Sequence, residues 1–122
     1  MLTLKIYQII TYIIRPLFFI FFSIRILNNK EEKGKFFERK GFSKNKKPAG
    51  TLIWIHAASV GETLSALPLI ERLVNFSPDY NILLTTGTKT SKNLISERNL
   101  KRVVHQYFPW DAKSYCDRFL NN

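Results

Sequence analysis

The chain has 122 residues, of which 45% are hydrophobic and 14% aromatic, and it carries a formal net charge of +10. That length allows one small domain, and the ordinary apolar content excludes wholesale disorder. A single cysteine, Cys116, excludes an internal disulfide framework and fits a reducing compartment. No Cys/His cluster has zinc spacing, so neither a metal nor another cofactor is expected.

The charge is uneven. Residues 25–47 hold nine basic side chains against three acidic ones, whereas residues 48–122 hold eight against six. Composition therefore divides the chain into a hydrophobic membrane anchor over 1–27, a basic membrane-proximal segment over 28–50 and a foldable part over 51–122.

From Ile6 to Ile24 the sequence runs through nineteen residues whose only formal charge is Arg15. This approaches the roughly 20 residues that cross a bilayer as a helix. Arg15 followed by Pro16 leaves two arrangements open: a single span, or a kinked helix embedded from one side with its arginine at the interface. No small-x-small cleavage site follows Ile24, so the segment reads as retained. The basic excess after the apolar run orients the rest of the chain to the cytoplasmic side of the membrane.

Residues 28–47 read either as a solvated linker or as a collar that grips anionic headgroups through Arg25, Lys33, Lys35, Arg39 and Lys40. Phe36, Phe37 and Phe42 among those charges favour the collar. Basic residues mixed with aromatics also occur in nucleic-acid binders, but no nucleic-acid motif accompanies them, so a membrane is the expected partner.

After the loop Pro48-Ala49-Gly50, Thr51–Ala57 is a continuous apolar run, expected as a strand buried on both faces. A turn over Ala58–Glu62 leads into a helix marked by Leu64, Leu67, Ile70, Leu73 and Val74, with Pro68 awkward in its interior. Ile82–Thr86 is a second strand, and Gly87–Ser91 a loop entering a helix that ends near Asn99. Val103–Phe108 is a third strand, and Ala112–Leu120 a final helix. Strands alternating with helices predict an α/β, Rossmann-like parallel sheet. Ligands of such sheets gather at the strands' carboxyl ends, to which the segments Ser59–Glu62, Gly87–Ser91 and Pro109–Asp111 are assigned. A partial sheet also exposes an edge, which predicts marginal solubility for residues 48–122.

Ile53-Trp54-Ile55-His56-Ala57-Ala58-Ser59-Val60-Gly61-Glu62 closely resembles the first-strand signature of the Kdo transferases, which add 3-deoxy-D-manno-octulosonic acid to a lipid A precursor. Pro68-Leu69-Ile70, Leu84-Thr85-Thr86-Gly87-Thr88 and His105-Gln106-Tyr107-Phe108-Pro109-Trp110-Asp111 match in the same order. The resemblance implies the N-terminal half of a GT-B glycosyltransferase, with CMP-Kdo and the lipid A precursor as substrates of the complete enzyme. Family members continue into a Glu-x-Glu-x-Trp-Pro segment and a donor-binding domain. The 122 residues are therefore expected to be inactive alone: either one piece of a split enzyme whose donor domain is separately encoded, or a remnant.

Within this resemblance Glu62 is the general base for the acceptor hydroxyl. On its residues alone it is also a helix N-terminal carboxylate stabilised by the dipole, a position that lowers proton affinity and weakens a base. Gly61 serves close backbone approach. Ser59 either meets substrate or caps a helix. Thr86, Thr88 and Lys89 either meet an anionic substrate at a helix start or form an ordinary capped loop. His56 reads as a satisfied core histidine, Asp111 as a cap and Cys116 as a small core residue. A non-catalytic module that binds anionic lipid through residues 25–47 stays open as a reading of a different class. A small nucleotide-binding protein is disfavoured, since the chain has no Gly-rich phosphate fingerprint.

Overall fold

The computed structural model describes residues 2–122. Contacts divide them into two compact units, one of Ser43–Phe108 and one that runs through Phe42 and resumes at Pro109–Asn122. These boundaries differ from the compositional ones because residues 109–122 pack on the N-terminal segment through aromatic rings, which charge and hydropathy do not reveal.

The first unit is a three-stranded parallel sheet in the order β1-β2-β3 with its crossover helices. Its elements are β1 (Thr51–Ala57), α3 (Val60–Phe76), β2 (Tyr80–Thr86), α4 (Lys89–Arg98) and β3 (Val103–Tyr107). Ala57 lies opposite Thr86, and Thr86 opposite Tyr107, so the three strands end level.

Ile82 and Leu84 of β2, Ala57 of β1 and Ile70 and Val74 of α3 form a buried core with Ile95 of α4, flanked by the half-buried Ile53 and Ile55. Each fully buried aliphatic side chain there is worth about 1.5–3 kcal/mol of transfer free energy. The opposite face of β1 is open: Trp54 is 44% exposed, and His56 is exposed as well. Within the described residues β1 is therefore covered on one face only, with period-two alternation, rather than buried on both as expected. His56 is accordingly no core histidine.

Pro68 lies inside α3, yet the helix runs unbroken from Val60 to Phe76. Its C-terminal carbonyls find a donor from far along the chain. Arg102, left-handed at φ 61°, directs its guanidinium to the carbonyls of Val74, Ser77 (2.6 Å) and Tyr80 (3.0 Å). Carbonyls near a helix end that would otherwise lack partners are satisfied in this way.

The second unit contains α1 (Leu2–Leu27), a 3-10 turn at Lys33–Lys35, α2 (Phe36–Arg39) and α5 (Lys113–Leu120). At 26 residues α1 is about 39 Å long. It is long and apolar enough to cross a membrane, and Pro16 leaves it a single helix. Aromatic rings hold this unit together. Phe22 is buried against Phe36 (centroids 5.0 Å apart) and Trp110 (5.7 Å), and Phe18 lies 5.1 Å from Trp110.

In the same unit Glu31 is buried and its Oε1 accepts from Arg39 Nη2 (2.6 Å) and Arg25 Nε (3.1 Å). The Arg39 side chain is only 6% exposed. This corrects its assignment as a lipid contact: a guanidinium neutralised in the interior by Glu31 is not offered to headgroups.

Candidate functional site

The turn between β1 and α3 is organised by its own side chains. Ser59, in extended conformation, is the N-cap of α3 and its Oγ accepts from the Glu62 N–H at 3.2 Å. The Glu62 carboxylate reaches back, Oε2 accepting from the Ala58 N–H at 2.8 Å and Oε1 from the Ser59 hydroxyl at 3.2 Å. The spacing Ser-x-x-Glu is that of a capping box, here with the carboxylate received one residue earlier than usual. Both oxygens are thereby oriented, yet Glu62 remains exposed at the carboxyl end of the sheet and keeps spare lone pairs for an incoming hydroxyl.

The turn between β2 and α4 repeats the plan without the acid. Thr88 is the N-cap, its Oγ1 accepting from the Ser91 N–H at 3.2 Å and donating to Ser91 Oγ at 2.8 Å. Lys89 follows as the first residue of α4 and is half-buried. The two turns touch through backbone: a Cβ on Gly87 would lie 3.1 Å from the Ala58 carbonyl oxygen. Close approach therefore belongs to Gly87. At Gly61 an added Cβ would meet only Ser59 Oγ, at 4.0 Å, so nothing in the chain itself crowds that position.

The structure brings Ser59, Gly61, Glu62, Thr88 and Lys89 to one end of the sheet; Thr86, the last residue of β2, lies there too but without exposed surface. Thr86 is fully buried and its Oγ1 lies 2.8 Å from His105 Nε2. Its expected role as a substrate contact is not supported by this burial, the hydroxyl being engaged with His105. Pro109–Asp111 falls in the other unit, where Asp111 accepts from the Tyr7 hydroxyl; the N-cap of α5 is Ala112, so Asp111 is not the expected cap.

One cluster escaped sequence reasoning. On the open face of the sheet Thr85 Oγ1 accepts from Trp54 Nε1 at 2.9 Å and lies 3.0 Å from His56 Nδ1, while Phe108 covers the imidazole with centroids 4.3 Å apart. Period-two alternation of Trp54 and His56 within the apolar run was the available signal.

In the other unit Lys33 is exposed, while Arg25, Lys35 and Lys40 are half-buried. Lys35 pairs with Glu38 at 2.5 Å, and Lys40 Nζ lies 4.4 Å from the centre of the Phe36 ring. Burial, with the nearby charge of Asp111, pushes the Cys116 thiol above its usual range. Among the described residues no group of three or more His, Cys, Asp or Glu is placed to hold a metal ion.

Comparison with known proteins bears on this arrangement. The family described as 3-deoxy-D-manno-octulosonic-acid transferase (kdotransferase) matches residues 34–122. The 3-deoxy-D-manno-octulosonic acid transferase of Rickettsia bellii is 34% identical over 119 residues, 98% of this chain and 28% of the relative. That of Haemophilus influenzae is 33% identical over 116 residues, 94% of this chain and 27% of the relative. That of Rickettsia felis is 42% identical over 74 residues, 61% of this chain and 16% of the relative. No solved structure matches at a significant level. The chain thus spans little more than a quarter of the length of relatives it matches almost end to end. On the family match and these identities, the chain belongs to the 3-deoxy-D-manno-octulosonic acid (Kdo) transferases.

Proposed function

We propose that these residues form the N-terminal, acceptor-side part of an enzyme that moves Kdo from CMP-Kdo to a lipid A precursor in lipopolysaccharide biosynthesis. The observation that carries this reading is the exposed Glu62 carboxylate, oriented by the Ala58 N–H and the Ser59 hydroxyl at the carboxyl end of the sheet. In this reading Glu62 takes the proton from the acceptor hydroxyl as its oxygen bonds to the anomeric carbon, with inversion, and CMP leaves with the bonding electrons. Ser59 and Thr88 hold the two turns, and Lys89 beside the N-terminus of α4 favours an anionic part of the substrate. α1 attaches the protein to the inner membrane with the sheet unit on the cytoplasmic face, aided by Arg25, Lys33, Lys35 and Lys40. The donor-binding domain, on the same or a separate polypeptide, completes the site, and the 122 residues alone bind acceptor without turnover.

A second reading draws on the same hydrogen bonds: Glu62 already has a complete role as a cap, which suits a non-catalytic module bound to anionic lipid. Glu62→Gln separates the two, because glutamine also serves at this position of a capping box but is no base. Kdo transfer from CMP-Kdo is measured in membranes carrying the chain together with a donor-domain polypeptide. Loss of about 10²–10⁴-fold in Glu62→Gln with unchanged thermal stability is expected for the base. Full transfer by that variant leaves Glu62 as a cap and the catalytic reading without its carrier.

A further inference from the structure

We propose that α1 lies in the plane of the membrane, its apolar face sunk into a single leaflet containing anionic lipid, rather than crossing the bilayer. This deepens the membrane attachment proposed above and rests on it.

The first observation is that α1 has two faces. Gln8, Thr11, Arg15, Phe18, Phe22 and Arg25 recur at intervals of three and four and are all buried or half-buried. Ile6, Ile9, Ile13, Leu17, Ile20 and Ile24 recur at intervals of three and four on the opposite side, and each is about half exposed or more. At 3.6 residues per turn these are opposed stripes. Gln8, Thr11, Arg15 and Arg25 fall on the covered stripe, whereas Thr3, Lys5 and Tyr12 are exposed outside it near the start of the helix.

The second observation is what covers it. Tyr7 donates to Asp111, the Arg15 guanidinium lies 4.7 Å from the centre of the Tyr115 ring, and Phe18 and Phe22 pack on Trp110. A groove of ≈ 370 Å³ is lined by Gln8, Thr11 and Tyr12 together with Lys113, Ser114 and Asp117. Residues 109–122 thus accompany α1 from Tyr7 to Phe22, about 22 Å of helix at 1.5 Å per residue. That is most of the ~30 Å hydrocarbon thickness. Lys113 and Asp117 have side chains 62% and 51% exposed. Residues 109–112 are irregular backbone. A spanning α1 would carry these charges and this non-helical backbone into hydrocarbon, which tolerates neither when lipid-exposed.

The in-plane arrangement removes both conflicts. The isoleucine stripe faces the acyl chains, the polar stripe and its cover face water, and Arg15 stays at headgroup depth. The exposed Lys30 and Lys33, just past the helix, supply the attraction to anionic headgroups.

The test uses the full chain with Cys116→Ser and one new cysteine at an exposed position, Thr3→Cys, Lys33→Cys or Lys113→Cys. Sealed vesicles of both orientations are prepared from cells producing each variant and treated with a membrane-impermeant maleimide. Labelling of all three positions from the same side, and from that side only, is expected. Labelling of Thr3→Cys solely from the side opposite Lys33→Cys means that α1 spans, which overturns the inference and leaves membrane attachment intact. Recovery of the chain in the soluble fraction overturns the attachment itself, and the in-plane helix with it.

Discussion

The two units bury their interiors by different means. The sheet unit excludes water with aliphatic side chains from neighbouring elements, Ile70, Ile82 and Leu84 being fully buried. The helical unit uses tilted and edge-to-face aromatic rings together with a buried carboxylate, Glu31, that two guanidiniums share. The first arrangement is non-directional and tolerates repacking; the second depends on charge balance, because a buried ion without its partner is costly.

Breaking that balance gives the largest expected effect. Glu31→Ala removes the carboxylate that the buried Arg39 shares with Arg25 and should destabilise the helical unit by about 3–5 kcal/mol. Urea titration followed by near-ultraviolet circular dichroism, dominated by the aromatic rings, reads this loss. Leu84→Ala attacks the other kind of interior and should cost the sheet unit about 2–5 kcal/mol, read from far-ultraviolet melting. If the near-ultraviolet signal of the helical unit also melts in step with Leu84→Ala, the contrast between separately stabilised units fails.

The same comparison reaches down to single caps. Ser59→Ala removes both the acceptor for the Glu62 N–H and a donor to its carboxylate, so about 1 kcal/mol is expected. Thr88→Ala, in the turn without an acid, should cost the same or slightly less. Smallest is a kinetic effect: the raised pKa of Cys116 means less thiolate at neutral pH. Its alkylation should be slower than that of a free thiol and should rise steeply only at pH above the ordinary thiol range, as a rate-against-pH profile would record.

The sheet unit was largely legible because its signals are local. Alternation of apolar runs with helix-spaced Leu64, Leu67 and Ile70 predicts β1, α3, β2, α4 and β3, and β1 matches the expected Thr51–Ala57 without adjustment. Sequence could not say which faces would be covered, so Trp54 and His56 were misread as interior. The candidate site was legible at Ser59, Glu62, Thr88 and Lys89, where turn and cap chemistry is encoded within four residues. It was not legible at Thr86, whose orientation depends on strand phase, nor at Gly61 and Gly87, whose roles depend on which turn lies alongside. Arg39 shows the limit most sharply. As one of nine basic residues in a charged run it looks solvated, and only the fold reveals Glu31 closing over it.

The contacts that cover α1 also have a timing. Tyr7 and Asp111 are 104 positions apart. During synthesis at roughly 5–20 residues per second, α1 is complete for about 4–19 seconds before residues 109–122 exist. Throughout that interval Phe22 can rest on Phe36, but Arg15 and Phe18 lack Tyr115 and Trp110, and a lipid surface is a competing apolar partner. Whichever stripe of α1 settles there first decides whether the last residues to emerge find their docking face vacant.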